Sequence, residues 1–169
     1  MNKAVFLDRD GIINQDRSYV YKIEDFSFCE GIFDALRHFQ TLGYKLIIVT
    51  NQSGIGRGYY TENDFEILSR WMCDRFLNEG ICIDAVYHCP HSPDAGCLCR
   101  KPLTKLFDEA IKKFDIDATH SWMIGDKQSD IDAGHNARIT QTIFINNSIY
   151  KQAKYSVQTI LDTISIIKT

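Results

Sequence analysis

Apolar runs alternate with segments of helical periodicity along the chain, and this alternation constrains the fold more than any other feature. The apolar runs, which we predict to be strands, cover residues 3–7, 44–50, 83–88, 121–126 and 141–145. Apolar residues recur at helical spacing in 31–42, 61–80, 103–114, 129–136 and 156–167. Strands that alternate with helices are joined by right-handed crossovers into a mainly parallel sheet with helices on both faces. The pattern therefore predicts an α/β fold.

Length and composition limit the class of protein. A chain of 169 residues with 44% hydrophobic and 24% charged residues is typical of one folded domain, here residues 1–169. The net charge of −3 offers no general attraction for nucleic acid or an anionic membrane, and no segment has the ~18 uncharged apolar residues of a membrane span. Acidic residues begin at Asp8, too early for a signal peptide. We therefore expect a cytoplasmic monomer whose six cysteines form no disulfides.

Polar motifs follow four of the predicted strands. They are DRDG, TNQSG, CPH with CRKP, and GDKQSD, in chain order. Ligands of open α/β sheets bind beyond the carboxyl ends of the strands. We therefore expect the four motifs to meet in one shared site.

Two aspartates stand directly after the first strand. If the backbone stays extended between Asp8 and Asp10, both side chains point to the same side. Like charges held together favour a bound cation, and carboxylate oxygens suit Mg²⁺. Asp126 ends the fourth strand and is placed to complete a magnesium site with them. Asp130, one helical turn further on, we interpret as a favourable charge at a helix N-terminus.

The second and third motifs suit a phosphate. Thr50 ends its strand with a hydroxyl donor, and the Gly-rich loop 51–58 can cradle an oxyanion with its amides. The side chains that accompany those amides are Asn51, Gln52 and Ser53. Arg100 and Lys101 add a bidentate fork and a point charge, two forms of cation that bind phosphate.

Together the motifs resemble those of the haloacid dehalogenase superfamily of aspartate-nucleophile phosphatases, over nearly the whole chain. Within it, the chain is similar to the D-glycero-D-manno-heptose-1,7-bisphosphate 7-phosphatases. The segments that carry this closer likeness are FLDRDGIIN, DRSYV, TNQSGIGRGYYTENDF, CPH with CLCRKP, and GDKQSD. The resemblance implies a three-layer, Rossmann-like fold without a separate cap domain. It also implies a small-molecule substrate, a sugar bisphosphate on the route to ADP- or GDP-heptose.

The resemblance also implies roles for individual residues. Asp8 would be the nucleophile that forms an aspartyl-phosphate, and Asp10 the general acid and then the general base. Mg²⁺ would bind the Asp8 carboxylate, the Asp10 backbone carbonyl and Asp126. Thr50 and Lys101 would stabilise the phosphoryl group, and Arg100 would select the substrate through its second phosphate. Further substrate contacts would come from Arg9, Asp16, Arg17, Ser18, Tyr19, Asn51, Gln52, Ser53 and Lys127.

The loop at about 89–99 contains a possible second metal site. Cys89, His91, Cys97 and Cys99 offer three thiolates and one imidazole, a soft ligand set that selects Zn²⁺. All four positions of a tetrahedron would be filled by protein, so we predict a structural zinc. Alternation along the chain turns the neighbouring His88 away from the ligands. Unrelated buried cysteines or a disulfide are the alternatives, and a disulfide would leave one of the three thiols unpaired.

The sequence leaves the substrate open between two phosphatase groups. The five-residue spacer between His91 and Cys97 is common in histidinol-phosphate phosphatases, and Ser18 stands where heptose enzymes usually have glycine. The segment NQSGIGRGYYTENDF, in contrast, follows the heptose pattern. A non-catalytic zinc-binding module is a remoter alternative, which the complete set of phosphatase motifs argues against.

Overall fold

Six parallel strands form the sheet at the centre of the molecule. In the computed structural model, which describes residues 1–169, they are β1 (Ala4–Leu7), β2 (Lys45–Asn51), β3 (Ala85–Cys89), β4 (Trp122–Gly125), β5 (Gln141–Ile145) and β6 (Tyr155–Val157). Their order across the sheet is β3-β2-β1-β4-β5-β6, and every neighbouring pair is parallel. The five strands predicted from the sequence are present, and β6 is an addition.

Six α-helices connect or follow the strands. They are α1 (Ile32–Thr41), α2 (Ser53–Gly56), α3 (Glu62–Asn78), α4 (Lys105–Phe114), α5 (Gln128–Asn136) and α6 (Thr163–Ile166). The single turn α2 lies in the segment predicted as a Gly-rich loop, and the other connections contain the predicted helices. None of the helices is long and apolar enough to cross a lipid bilayer.

The sheet separates two hydrophobic cores. In β1, Val5 and Leu7 belong to a cluster of 23 buried residues, whereas Ala4 and Phe6 belong to a cluster of 14 on the opposite face. Helices α1 and α3 contribute to the first cluster, and α4 and α5 contribute to the second. A central strand covered on both faces has no polar side, which explains its continuous apolar sequence. The three-layer architecture predicted from the sequence is confirmed.

Local signals fix the ends of the long helix α3. The hydroxyl of Thr61 accepts a hydrogen bond from the Asp64 amide, and the Asp64 carboxylate accepts one from the Thr61 amide. Such a reciprocal cap stabilises a helix by about 1 kcal/mol. After the last turn, Gly80 takes a φ of 75°, which glycine adopts without strain.

The end of the chain differs from the prediction of one helix over 156–167. Tyr155–Val157 pairs with β5 instead, and a 3-10 turn at Ile160–Asp162 precedes α6. The change of structure occurs at Thr159, where the Asp162 carboxylate accepts hydrogen bonds from the Thr159 amide and hydroxyl. The apolar spacing was real, since Ile160 and Ile167 are buried in the larger core, but the pairing partner β5 cannot be seen in a local pattern.

Candidate active site

A polar cleft opens at the carboxyl ends of the central strands and encloses about 310 Å³. It brings together most of the predicted site residues, namely Asp8, Asp10, Asp16, Ser18, Tyr19, Asn51, Gln52, Ser53, Arg100, Lys101 and Lys127. Three further lining residues, Tyr60, Ser129 and Asp130, were not among the predicted site residues. The expectation that the four motifs share one site is therefore met by the geometry.

Three carboxylates form a group at this cleft, and two of them, Asp8 and Asp130, line it. Oxygens of Asp8, Asp126 and Asp130 lie within 4.8 Å of one another. Asp8 is only 5% exposed, and its burial, with the charge of Asp130, raises its pKa to about 8. Burial likewise raises the pKa of Asp126. A cluster of acids whose ionised form is this unfavourable is a fitting site for a divalent cation.

Gly11 makes room for this cluster. A Cβ atom at Gly11 would lie 2.1 Å from Oδ2 of Asp126, and the φ of 93° is one that side chains rarely adopt. The glycine that follows Asp8 and Asp10 in the sequence thus lets the chain turn and lets Asp126 approach.

Lys101 is the buried cation of the site. Its Nζ lies 2.8 Å from Oδ1 of Asp8, 2.7 Å from Oδ1 of Asp130 and 2.6 Å from the Val49 carbonyl. Burial by itself would lower the pKa of Lys101, but the negative charges of Asp130 and Asp8 outweigh it and raise the pKa. The ammonium is therefore charged and fixed beside the carboxylate of Asp8.

Asp130 has a second role besides the predicted one, a favourable charge at the N-terminus of a helix. Its Oδ2 does accept a hydrogen bond from the Lys127 amide at the start of α5, as a capping residue does. However, it is 1% exposed and its second oxygen holds Lys101. The signal for this role was the spacing of GDKQSD, which returns Asp130 to the strand end one turn after Asp126.

Asp10 lines the cleft but does not belong to the group of three carboxylates. Its Oδ1 accepts hydrogen bonds from Arg9 Nη2 at 2.9 Å and Asn14 Nδ2 at 3.0 Å. Its Oδ2 accepts one from Gln52 Nε2 at 3.1 Å. Burial would raise the pKa of Asp10, but the Arg9 charge and these hydrogen bonds outweigh it and lower the pKa. Asp8 and Asp10 therefore have different hydrogen-bonding partners. The predicted common direction of their side chains does not bring the Asp10 carboxylate into the group formed by Asp8, Asp126 and Asp130.

Arg9, for which the sequence analysis expected a substrate contact, is buried and does not line the cleft. It is 1% exposed, and its Nη2 donates to the Val20 carbonyl at 2.7 Å as well as to Asp10. Its guanidinium carbon lies 5.9 Å from the centre of the Phe65 ring, while Nε and Nη1 have no hydrogen-bond partner. Burying an arginine in this way is costly unless a charge compensates it, and Asp10 provides that charge.

Two other predicted contacts also lie outside the cleft wall. Arg17 is exposed and donates to the Asp25 carbonyl at 3.3 Å. Thr50 is fully buried, with its hydroxyl 2.8 Å from Gln52 Nε2. Asn51 lines the cleft and also bridges to the backbone of Lys101, accepting from its amide at 3.0 Å and donating to its carbonyl at 3.3 Å.

The predicted cysteine and histidine ligands converge beside the cleft. Cys89, His91, Cys97 and Cys99 each offer one atom within 4.8 Å of the others, and no cysteine forms a disulfide. The Sγ atom of Cys89 lies 3.6 Å from that of Cys97, and Nδ1 of His91 lies 3.2 Å from Sγ of Cys99. Three sulfurs and one imidazole around a common centre fit a tetrahedral zinc. His88 turns away, as predicted, and bonds to Glu62 at 2.6 Å.

The backbone of this Cys/His loop, residues 89–99, supports the Gly-rich loop. The carbonyl of Cys89 accepts from the Gln52 amide at 2.8 Å, and that of Pro90 accepts from the Gly56 amide at 2.7 Å. A Cβ at Gly56 would lie 2.8 Å from the Pro90 oxygen, so the close approach requires glycine. The spacer 92–96 contributes no residue to the cleft.

Comparisons with known proteins agree with this geometry. A family profile described as HAD-hydrolase-like matches residues 98–164. D-glycero-beta-D-manno-heptose-1,7-bisphosphate 7-phosphatase of Helicobacter pylori strain J99 is 50% identical over 151 residues, which cover 89% of this chain and 87% of that protein. D-glycero-alpha-D-manno-heptose-1,7-bisphosphate 7-phosphatase of Campylobacter jejuni is 53% identical over 144 residues, which cover 85% and 83%.

A solved structure shows the same fold. The D,D-heptose 1,7-bisphosphate phosphatase from B. bronchiseptica, crystallised with magnesium and phosphate, has a TM-score of 0.87 over 97% of both chains at 24% identity. The profile match and the relatives at 50% and 53% identity together show that the chain is a haloacid dehalogenase-like hydrolase, and these relatives are named as phosphatases. Within this class, the identity to its relatives shows that the chain belongs to the D-glycero-D-manno-heptose-1,7-bisphosphate 7-phosphatase family.

Proposed function

We propose that the chain is a Mg²⁺-dependent phosphatase that removes the 7-phosphate of D-glycero-D-manno-heptose 1,7-bisphosphate through an aspartyl-phosphate. The observation that carries the proposal is the buried Asp8 carboxylate, held 2.8 Å from Lys101 within a group of three carboxylates. The relatives at 50% and 53% identity, which are named for this reaction, support the choice of substrate.

The magnesium ligands would be the carboxylates of Asp8 and Asp126, with the backbone carbonyl of Asp10. Asp130 belongs to the same group of acids and adds a third carboxylate to it. A hard divalent cation fits these oxygen donors, and it would neutralise their charge and that of the phosphoryl group.

Asp8 would attack phosphorus and displace the sugar oxygen. Lys101 stands beside the attacking carboxylate, so its charge would stabilise the equatorial oxygens as the transfer proceeds. The negative charge of the bound phosphoryl group would oppose the Arg9 charge and favour the protonated form of Asp10. Asp10 would then give its proton to the departing sugar oxygen and take one from the water that hydrolyses the aspartyl-phosphate. Thr50, buried beneath the cleft, would support the phosphoryl group together with Lys101.

The rest of the cleft would bind the sugar and its second phosphate. Only two of its 14 lining residues are hydrophobic, as suits a polyol. Arg100 lines this cleft next to Lys101 and would bind the second phosphate as a bidentate fork. Lys127, which also lines the cleft, pairs with Asp16 at 3.5 Å, and both, with Ser18 and Tyr19, would contact the substrate. Asn51, Gln52 and Ser53 would complete the contacts along the Gly-rich loop.

Zinc at Cys89, His91, Cys97 and Cys99 would have a structural role. It would fix both the peptide that leads to Arg100 and the carbonyls that hold Gln52 and Gly56. A sugar bisphosphate carries several negative charges and does not cross membranes by itself, so we propose that the reaction takes place in the cytoplasm.

The decisive experiment compares kcat/KM for the two anomers of heptose 1,7-bisphosphate with kcat/KM for histidinol phosphate. The proposal expects a preference of at least about a hundredfold for one heptose anomer, the scale that a site built around a second phosphate can provide. The relatives are named for both anomers, so either anomer supports the proposal. A preference for histidinol phosphate would overturn the proposed substrate.

A further inference from the structure

The side-chain amide of Gln52 joins two groups of the proposed reaction. Its Nε2 donates to Oδ2 of Asp10 at 3.1 Å and to the hydroxyl of Thr50 at 2.8 Å. Of the three side chains that hold the Asp10 carboxylate, Gln52 is the one that also lines the cleft. The geometry of the acid and base therefore depends on how this amide is oriented.

A glutamine amide can turn over, since its two ends are similar in size and opposite in polarity. The reversed amide of Gln52 would place its oxygen against the Asp10 carboxylate, which repels it. Tyr60 opposes this reversal because its hydroxyl donates a hydrogen bond to Oε1 of Gln52. Burial raises the pKa of Tyr60 to about 12, so the hydroxyl keeps its proton throughout the neutral range.

The ring of Tyr60 is itself fixed. It is 5% exposed and stacks on Tyr21, with centroids 5.1 Å apart and an angle of 8° between the rings. Gly54 leaves the space for it, since a Cβ there would lie 2.2 Å from Cε1 of Tyr60. Because Tyr21 and Gly54 fix the position of the Tyr60 ring, the Tyr60 hydroxyl can orient the more flexible side chain of Gln52.

We propose that Tyr60 is a positioning residue for proton transfer: it orients the Gln52 amide so that the amide N–H is directed at Asp10. The inference rests on the proposed function, in which Asp10 protonates the leaving oxygen. Tyr60 itself would not touch the reacting atoms.

The test uses the dependence on the leaving group. A sugar oxygen needs a proton as it departs, whereas p-nitrophenolate leaves without one, and kcat/KM reports the steps up to formation of the aspartyl-phosphate. In Tyr60→Phe we expect kcat/KM for heptose bisphosphate to fall about tenfold, part of the 10²–10⁴ that general acid catalysis provides. With p-nitrophenyl phosphate we expect a change within about twofold, because that ester bypasses the acid.

Two further variants sharpen the result. Gln52→Leu should lose at least as much activity on heptose bisphosphate as Tyr60→Phe, because Gln52 also bonds to Thr50 and lines the cleft. The double variant should lose no more than Gln52→Leu alone, because Tyr60 acts through Gln52. Tyr59→Phe is the matched control, since Tyr59 is 55% exposed and meets Tyr19 only edge to face. It should retain wild-type rates with both esters.

An equal loss on both esters, or no loss on either, in a Tyr60→Phe protein with a normal thermal unfolding midpoint would overturn the inference and leave the phosphatase function standing. A wild-type protein that hydrolyses neither ester would overturn the proposed function, and the inference with it.

Discussion

The Lys101 ammonium lies 2.7 Å from Oδ1 of Asp130 and 2.8 Å from Oδ1 of Asp8, so one buried cation joins an acid on α5 to the acid that follows β1. Because Asp130 compensates the charge of Lys101, the lysine is not neutralised by Asp8 alone. Lys101 therefore positions the carboxylate of Asp8, which is proposed to attack phosphorus, while part of the lysine charge is balanced by Asp130.

Asp130→Asn should lower kcat/KM about 10- to 100-fold, the effect of removing a supporting group around a metal site. The asparagine oxygen can still accept from the Lys127 amide, so the start of α5 should persist. The midpoint of a Mg²⁺ titration of activity should move to higher concentration, because one negative charge is gone. Asp132→Asn on the same helix is the control, and equal effects of the two changes would contradict the special role of Asp130.

Asp8→Asn should abolish turnover, by at least about three orders of magnitude, as removal of a nucleophile does. The amide has the same shape as the carboxylate, so the thermal unfolding midpoint should stay close to that of the wild type. Asp74→Asn on the exposed surface of α3 should keep full activity. Measurable steady turnover by the Asp8→Asn protein would remove Asp8 as the nucleophile.

Gly11→Ala and Gly43→Ala separate backbone strain from a blocked metal site. Both glycines have a positive φ, 93° and 82°, so both changes should cost ~1 kcal/mol of stability. The added methyl meets Asp126 at Gly11 but meets nothing within 4 Å at Gly43. Only Gly11→Ala should therefore weaken Mg²⁺ binding, measured by calorimetry, and lower activity. A similar Mg²⁺ affinity for both variants would contradict the proposed position of the ion.

Cys97→Ser should lower the thermal unfolding midpoint by about 4–8 °C, which corresponds to ~2 kcal/mol for a chain of this size. A structural zinc contributes its binding energy to folding, and losing one thiolate weakens that binding. Cys82→Ser is the control because Cys82 is exposed and lies outside the cluster. Zinc content, measured by atomic absorption, should fall in the first variant only. Unchanged zinc and stability in Cys97→Ser would falsify the structural metal.

The parts of the fold that were visible in the sequence are those with a strong local signal. The central strands are apolar on both faces, and the cap of α3 is formed by Thr61 and Asp64, which are three residues apart in the sequence. The tail was misassigned because Ile160 and Ile167 face the core in either arrangement, while the decisive pairing of Tyr155–Val157 with β5 is a tertiary contact.

The site was visible to the extent that its residues stand in motifs at strand ends. The role of Asp130 was obscured because one carboxylate performs two functions, capping α5 with one oxygen and holding Lys101 with the other. Arg9 was expected to contact the substrate because it stands between two site aspartates, and its burial beside Asp10 could not be read from that position. Tyr60 stands eight residues after Gln52, and no local pattern links their side chains.

The spacer between His91 and Cys97 lies at the surface, and residues 92–96 contribute nothing to the cleft. Pro93 and Gly96 of this spacer line a separate cavity with Arg100 and Lys101, and a Cβ at Gly56 would lie 2.8 Å from the Ser92 amide nitrogen. A change in the length of the spacer would therefore act on the proposed phosphate-binding residues from outside the cleft, without altering any side chain that lines it.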